Sequence, residues 1–504
     1  MDKSSVFSKK SLAHIRAETE NHGLKRSLGA LQLMLLGIGC IIGAGVYVMT
    51  GTAAANYAGP AVTISFLVAG AACAFTALCY AELASTLPVS GSSYTYTYAA
   101  LGEVFAWGLG WLLMLEYGLA GSALAVGLSG YLSSLLADFQ VIVPESLRSP
   151  MVQSITTPTG TRFALTSNVN LVAVIMLAAV ATVLIRGVSH SAAVNAVMVV
   201  IKVTVLLIFV AVGVAYVNPV NWHPLIPPNE GGFQFGVPGI LRAASILFFA
   251  YLGFETVSTA ALEARNPQRD MPIGILGALI ICTVLYIMVA LVLTGLVPYR
   301  ELGVADPIAV AMNATRQPAL AVLIKSGAVV GLTSVLLVNT YGHSRICFAM
   351  SRDGMLPRLF SDVHARWHTP HRGTMVVAGI SAVAAATLPI SILGDLVSLG
   401  TAAAFSIVAI SVMWLRTTHP QLHRPFRVPL GGRHIGGVWV GIVPLCALLL
   451  CLGLIGPVLI DIIAKAMAGD VLLAVILGLY LLAGALIYVL YCRRASRVQR
   501  GIAA

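Results

Sequence analysis

The chain is poor in charge. Only 10% of its 504 residues are Asp, Glu, Lys or Arg, against about 25% in an average soluble domain, and this excludes a soluble protein. Its eight cysteines, Cys40, Cys73, Cys79, Cys282, Cys347, Cys446, Cys451 and Cys492, form no CxxC pair and fall mostly inside apolar runs, so they read as packing residues and not as disulfides or a metal site. The N-terminal segment has no apolar core of the kind a cleaved signal requires, and it is expected to stay in the cytosol. No HExxH, GxGD or GxSxG pattern occurs, which removes the usual signatures of an intramembrane enzyme. There is no nucleotide-binding loop to couple work to ATP. The one glycine-rich stretch that resembles such a loop, near residue 39, follows no strand. No cofactor, metal or nucleic-acid partner is expected.

What the chain has instead is hydrophobic length. Fifty-eight per cent of its residues are hydrophobic, and a bilayer span needs about 20 apolar residues in a row. An all-α polytopic membrane protein of twelve helices is therefore expected, at about 27–50, 60–87, 99–136, 168–185, 190–217, 239–262, 273–296, 319–351, 373–390, 392–415, 436–460 and 471–492. Twelve spans place both termini on one side. If that side is cytosolic, its segments carry 22 Lys and Arg, while the other face carries six, namely Arg148, Arg162, Arg300, Arg316, Lys325 and Lys465. That asymmetry, and not nucleic acid, accounts for the net charge of +11, and it puts both termini inside a plasma or inner membrane.

Span 1 carries Gly37, Gly39, Gly43 and Gly45 around Ile41 and Ala44. Each glycine weakens a helix by about 1 kcal/mol, so the cluster invites a break. At bilayer depth a break is tolerated where it faces protein or water, and its freed N–H groups suit an anionic group such as a carboxylate. A small-xxx-small packing face at Gly39 and Gly43 is the alternative. Span 6 repeats the theme, with Gly253 and Glu255 following Phe248-Phe249-Ala250-Tyr251-Leu252. Two interrupted helices five spans apart point to an inverted-repeat transporter whose site lies at the midplane; a channel gives no reason for them. Glu255 reads either as part of that site or as solvated near the cytosolic end of span 6. Arg242, nearer the outer end, reads as an interfacial side chain reaching for water.

Lys202 lies twelve residues beyond His190, about 18 Å along a helix and near the middle of a hydrocarbon core about 30 Å thick. An unpaired ammonium there is costly, so a functional role is expected. Glu116 is a second deep carboxylate, whereas Glu82 closes span 2 and suits a structural or gating role. Thr333, Ser334 and Asn339 add polar groups to span 8.

With these residues assembled, the sequence resembles the amino acid–polyamine–organocation superfamily, and within it the cationic amino acid transporter family with its bacterial members. The matching segments include GIGCIIGAGVYVMTG, YAELASTLPVSGSSYTY, FFAYLGFETVSTAALEARNPQRDMPIGI, RICFAMSRDGMLP, DLVSLGT and RPFRVP, and they run over nearly the whole chain. The resemblance implies a LeuT-like five-plus-five inverted repeat, with spans 1–5 in residues 27–217, spans 6–10 in 239–415, two further spans in 436–492, and cytosolic tails at 1–26 and 493–504. It implies alternating access and an amino acid substrate. The substrate carboxylate would meet Ile41, Gly43, Ala44 and Gly45. Its amino group would meet carbonyls near Phe249, Ala250 and Leu252, with Phe249 as an aromatic gate, Glu255 on the pocket floor and Asn339 beside the substrate side chain. Lys202, with Glu116, would carry the proton coupling, and Thr333 and Ser334 would bridge to Lys202. Three positions depart from the family pattern: Ala44 where bacterial relatives often have a hydroxyl, Glu255 where aspartate is usual, and Leu262 where an acidic residue is usual. The expected function is proton-coupled import of L-amino acids, either cationic (arginine, lysine, ornithine) or small and neutral (alanine). Obligate exchange and polyamine transport are the alternatives, and a single-span partner or homo-oligomer stays open.

Overall fold

The computed structural model describes residue 9 and residues 27–87, 92–157, 160–187, 192–261 and 263–493. Apart from residues 9 and 493, the tails expected at 1–26 and 493–504 lie outside the described residues, as do His190 and Leu262. The principal helices are α1 (Ala30–Ile41), α2 (Val62–Thr86), α3 (Glu103–Asp138), α4 (Leu171–Ile185), α5 (Ala192–Gly213), α6 (Gly236–Leu247), α7 (Pro267–Leu296), α8 (Pro318–Arg352), α9 (His371–Thr387), α10 (Ile390–Thr418), α11 (Ile442–Met467) and α12 (Leu472–Ile487). Among the described residues nine helical segments are long and apolar enough to cross a membrane; one of them, Gly45–Thr86, takes in both the second half of the expected span 1 and α2, with the backbone turning at Gly59 (φ +58°) between them. α1 and α4 are shorter apolar helices. The protein is a multi-pass helical membrane protein.

It is not purely helical. The segment after α3 forms an antiparallel hairpin, Val152–Thr157 with Gly160–Leu165, and a second hairpin, Gly432–Ile435 with Val438–Gly441, precedes α11. The first is tied down where the Phe163 amide donates to Asp470, just before α12, at 3.2 Å. Both pair their backbone groups locally, as a loop outside the helices must.

The helices sort into two groups. α7 packs along α1 and α2, and α6 packs on α2; in the other group α3 packs against α8, α4 and α9. α5 lies between the groups, touching α8, α1 and α7, while α10 lies on α3 and also meets α2 and α6. Because lipid tails are as apolar as leucine, polar groups help to fix these contacts. Asn170 shows how: its Oδ1 caps α4 by accepting from the Ala173 amide at 3.0 Å, and it also accepts from Ser129 of α3 at 2.8 Å.

Candidate functional site

α1 stops at Ile41. Ile42 turns to extended backbone (ψ 92°), and the helix restarts at Ala44 with a wide π-type turn, Gly45–Met49. The corresponding break lies beyond α6, where a 3₁₀ turn, Phe248–Tyr251, gives way to extended Leu252 (ψ 135°) and then to Gly253 at φ +117°. That dihedral is open to glycine and costly for other residues. A Cβ on Gly253 would also lie 2.7 Å from the backbone of Cys40, and one on Gly45 would run into the Cα of Ala250. The two breaks therefore meet backbone to backbone, at positions where glycine alone leaves room. A tyrosine of α7 spans them: the Tyr286 hydroxyl lies 2.7 Å from the Ile41 carbonyl and 3.1 Å from the Ala250 carbonyl.

Between the breaks lies a cavity of about 40 Å³. Ile41, Gly43, Ala44, Gly45, Phe249, Leu252, Glu255 and Asn339 all line it. Ala250 instead packs its backbone against Gly45. Leu124 of α3 and Val335 and Val338 of α8 supply an apolar wall, and Cys40, Thr256 and Tyr117 complete much of the lining. Glu255 is buried and held by protein: its Oε2 accepts from the Gly253 amide at 2.9 Å and its Oε1 from the Tyr117 hydroxyl at 3.3 Å. The Asn339 amide donates to the Tyr117 carbonyl at 2.7 Å.

Lys202 is 1% exposed and donates to the Gly39 carbonyl of α1 at 2.9 Å, two residues before the break. Its stem lies beside Gly331 of α8, where a Cβ would stand 3.2 Å from Lys202 Cγ. Thr333 directs its hydroxyl to the Val329 carbonyl of its own helix at 2.7 Å, and Ser334 is half-buried. The α8 residue at the lysine is thus Gly331; no bond joins Lys202 to Thr333 or Ser334 among the described residues. Glu116 is fully buried, and neither carboxylate oxygen has a hydrogen-bond partner. Thr401 lies beside it, but that hydroxyl is given to the Val397 carbonyl at 2.9 Å.

Two ion-pair clusters flank the cavity. Arg242 does not reach for water as the sequence suggests. It is fully buried, and its Nη2 donates to both oxygens of Asp395 at 2.7 Å and to Asp461 at 3.0 Å. Lys465 shares Asp461 at 3.0 Å, and the Tyr57 ring lies 4.7 Å from the guanidinium. The reason for the reversal is that α10 and α11 bring Asp395 and Asp461 to its depth, so the buried guanidinium is paired instead of being left as an uncompensated charge. At the other end Glu82 pairs with Arg416 and accepts from the Val428 amide at 2.7 Å, so the loop after α10 is held against α2. Tyr117, Tyr286, Asp395 and Asp461 were not singled out from the sequence. A tyrosine buried in an apolar helix calls for a partner for its hydroxyl, and that is the one local signal they give.

Paired broken helices around a small cavity, with no metal-binding cluster among the described residues, suit binding and passage of a small molecule. A model of the amino acid permease family matches residues 28–490. The chain belongs to that family. This permease is a transporter and not an enzyme. It is 42% identical, over 99% of its length and the whole of the relative, to a methylthioribose transporter of Bacillus subtilis (strain 168). It is 41% identical, over 99% of its length and again the whole relative, to the branched-chain amino acid permease BcaP of the same organism. A vacuolar cationic amino acid transporter 4 of Arabidopsis thaliana is 37% identical over 81% of this chain and 66% of its own.

Proposed function

We propose that this permease is a secondary active importer of L-amino acids that works by alternating access and is driven by protons. The observation that carries the reading is the meeting of two helix breaks at one cavity, with Lys202 bonded to the carbonyl beside the first break. Backbone N–H groups at the restart of the first broken helix take the substrate carboxylate, and the carbonyl ends at Phe249–Leu252 take its ammonium. When Lys202 is protonated, its charge-assisted bond to Gly39 joins α5 to α1. When it is neutral the link weakens, so the proton biases the outward–inward equilibrium. The two helix groups, α1, α2, α6, α7 and α3, α4, α8, α9, support a five-plus-five repeat of twelve spans, with α11 and α12 added and both termini cytosolic.

The apolar wall of Leu124, Val335 and Val338 favours substrates with small apolar side chains, in keeping with the permease named for branched-chain amino acids. Glu255 on the same cavity supports a second reading, cationic amino acids. The deciding experiment is uptake into proteoliposomes under an imposed pH gradient, using a panel of labelled amino acids with methylthioribose as competitor, with and without sodium. Accumulation of neutral amino acids that follows the pH gradient and ignores sodium is expected. Counterflow without gradient-driven accumulation would establish an exchanger instead.

A further inference from the structure

Tyr117 touches two polar residues of the cavity, Glu255 and Asn339. Its hydroxyl donates to Glu255 Oε1 at 3.3 Å, while its main-chain carbonyl accepts from Asn339 Nδ2 at 2.7 Å. The ring is seated against Gly342 of α8, where a Cβ would come within 2.9 Å of Cε1. With the Gly253 amide on Oε2 at 2.9 Å, each oxygen of Glu255 already has a protein donor.

We propose that Tyr117 is a specificity-determining residue: it holds the Glu255 carboxylate to the protein, so that the cavity accepts amino acids with uncharged side chains and discriminates against an ammonium or guanidinium group. The inference deepens the transport reading above and rests on it. Tyr117 and the Gly253 amide take one acceptor site on each Glu255 oxygen and fix the orientation of the carboxylate, so a cationic side chain has to reach the remaining lone pairs from the direction they leave open or pull Glu255 off the Tyr117 hydroxyl. Elsewhere the apolar side chains of Leu124, Val335 and Val338 offer such a head group no acceptor. Sites that reject a substrate by stranding a buried polar group discriminate more sharply than sites that differ only in apolar volume.

The test is Tyr117→Phe in proteoliposomes, read as the ratio of kcat/KM for lysine to that for alanine. This change keeps the ring, its seat on Gly342 and the main-chain bond to Asn339, and removes the hydroxyl that donates to Glu255 and lies beside Thr256. The ratio is expected to rise about tenfold or more, the worth of one hydrogen bond to a charged group, and to return to the wild-type value in Tyr117→Phe combined with Glu255→Gln. Glu255→Gln alone is expected to leave the ratio where it is, because a carboxylate held by the protein does not serve the substrate, and this variant carries the test if Tyr117→Phe fails to insert. An unchanged ratio in Tyr117→Phe, a fall in the ratio in Glu255→Gln, or a wild-type preference for lysine would each overturn the proposal while leaving amino acid transport standing. A wild-type chain that moves no amino acid overturns the transport reading and this proposal with it.

Discussion

Gly45 is where the two breaks press closest, because a Cβ there meets the Cα of Ala250. Gly45→Ala is therefore expected to force the broken segments apart, at the about 1–3 kcal/mol typical of overpacking or more, since the obstacle is backbone and cannot change rotamer. Substrate-induced thermal stabilisation of the purified variant should be largely lost; a normal shift would show that the contact can relax. Lys202 is the second residue whose change is decisive. Lys202→Ala removes the bond to Gly39 and the titrating group together. It is expected to abolish accumulation driven by a pH gradient while exchange of labelled for unlabelled substrate continues. Concentrative uptake at the wild-type rate would move the coupling to Glu116 or Glu255. Both residues announced themselves in the sequence, the glycine by its place in a cluster that no stable helix would choose and the lysine by its depth. Tyr286 and Tyr117 did not, because a tyrosine in an apolar run looks the same whichever carbonyl or carboxylate it meets, and those partners come from other helices.

Among elements, the contact of α6 with α10 and α11 is the one where the sequence misled. Counting residues placed Arg242 near the membrane edge, where a long side chain reaches water; Asp395 lies 153 positions away and nothing local links the two. The helix breaks were legible because they are written in adjacent residues, and the ion pair was not because it is written in two distant ones. Asp395→Asn leaves Arg242 with Asp461 alone, and loss of a buried partner costs about 3–5 kcal/mol when nothing replaces it. The expected result is a clear drop in melting temperature in detergent, recovered in part when Arg242→Gln removes the stranded charge. Asp461→Asn should cost less, because Asp461 is part-exposed and Arg242 keeps both oxygens of Asp395. If both single changes are silent, the cluster does not hold the two faces together.

For the whole molecule, composition already pointed to a membrane protein and the charge asymmetry predicts an orientation, whereas the division into two helix groups needed the packing. The orientation is testable directly. A fluorescent protein that matures only in the cytosol, fused after Ala504, should fluoresce, and a single cysteine placed at Leu147, in the segment between α3 and α4, should react with a membrane-impermeant thiol reagent on intact cells. Labelling of that cysteine only after lysis would reverse the orientation.

The outermost helix is fastened in a way that bears on optical measurement. Trp107 and Trp111 of α3 donate their indole N–H groups to the Gly484 and Tyr480 carbonyls of α12, each at 3.1 Å, and Trp111 stacks on the Tyr480 ring at 4.7 Å. Anchored at both face and edge to α12, these two indoles are expected to change their emission little when substrate binds. Trp439 is placed differently, 4.0 Å from the guanidinium of Arg416 at the Glu82 cluster. A cation so close quenches or shifts an indole, so Trp439 reports on the seam between α2 and α10, and a Trp439→Phe protein should lose that share of any substrate-dependent change in intrinsic fluorescence while still carrying substrate.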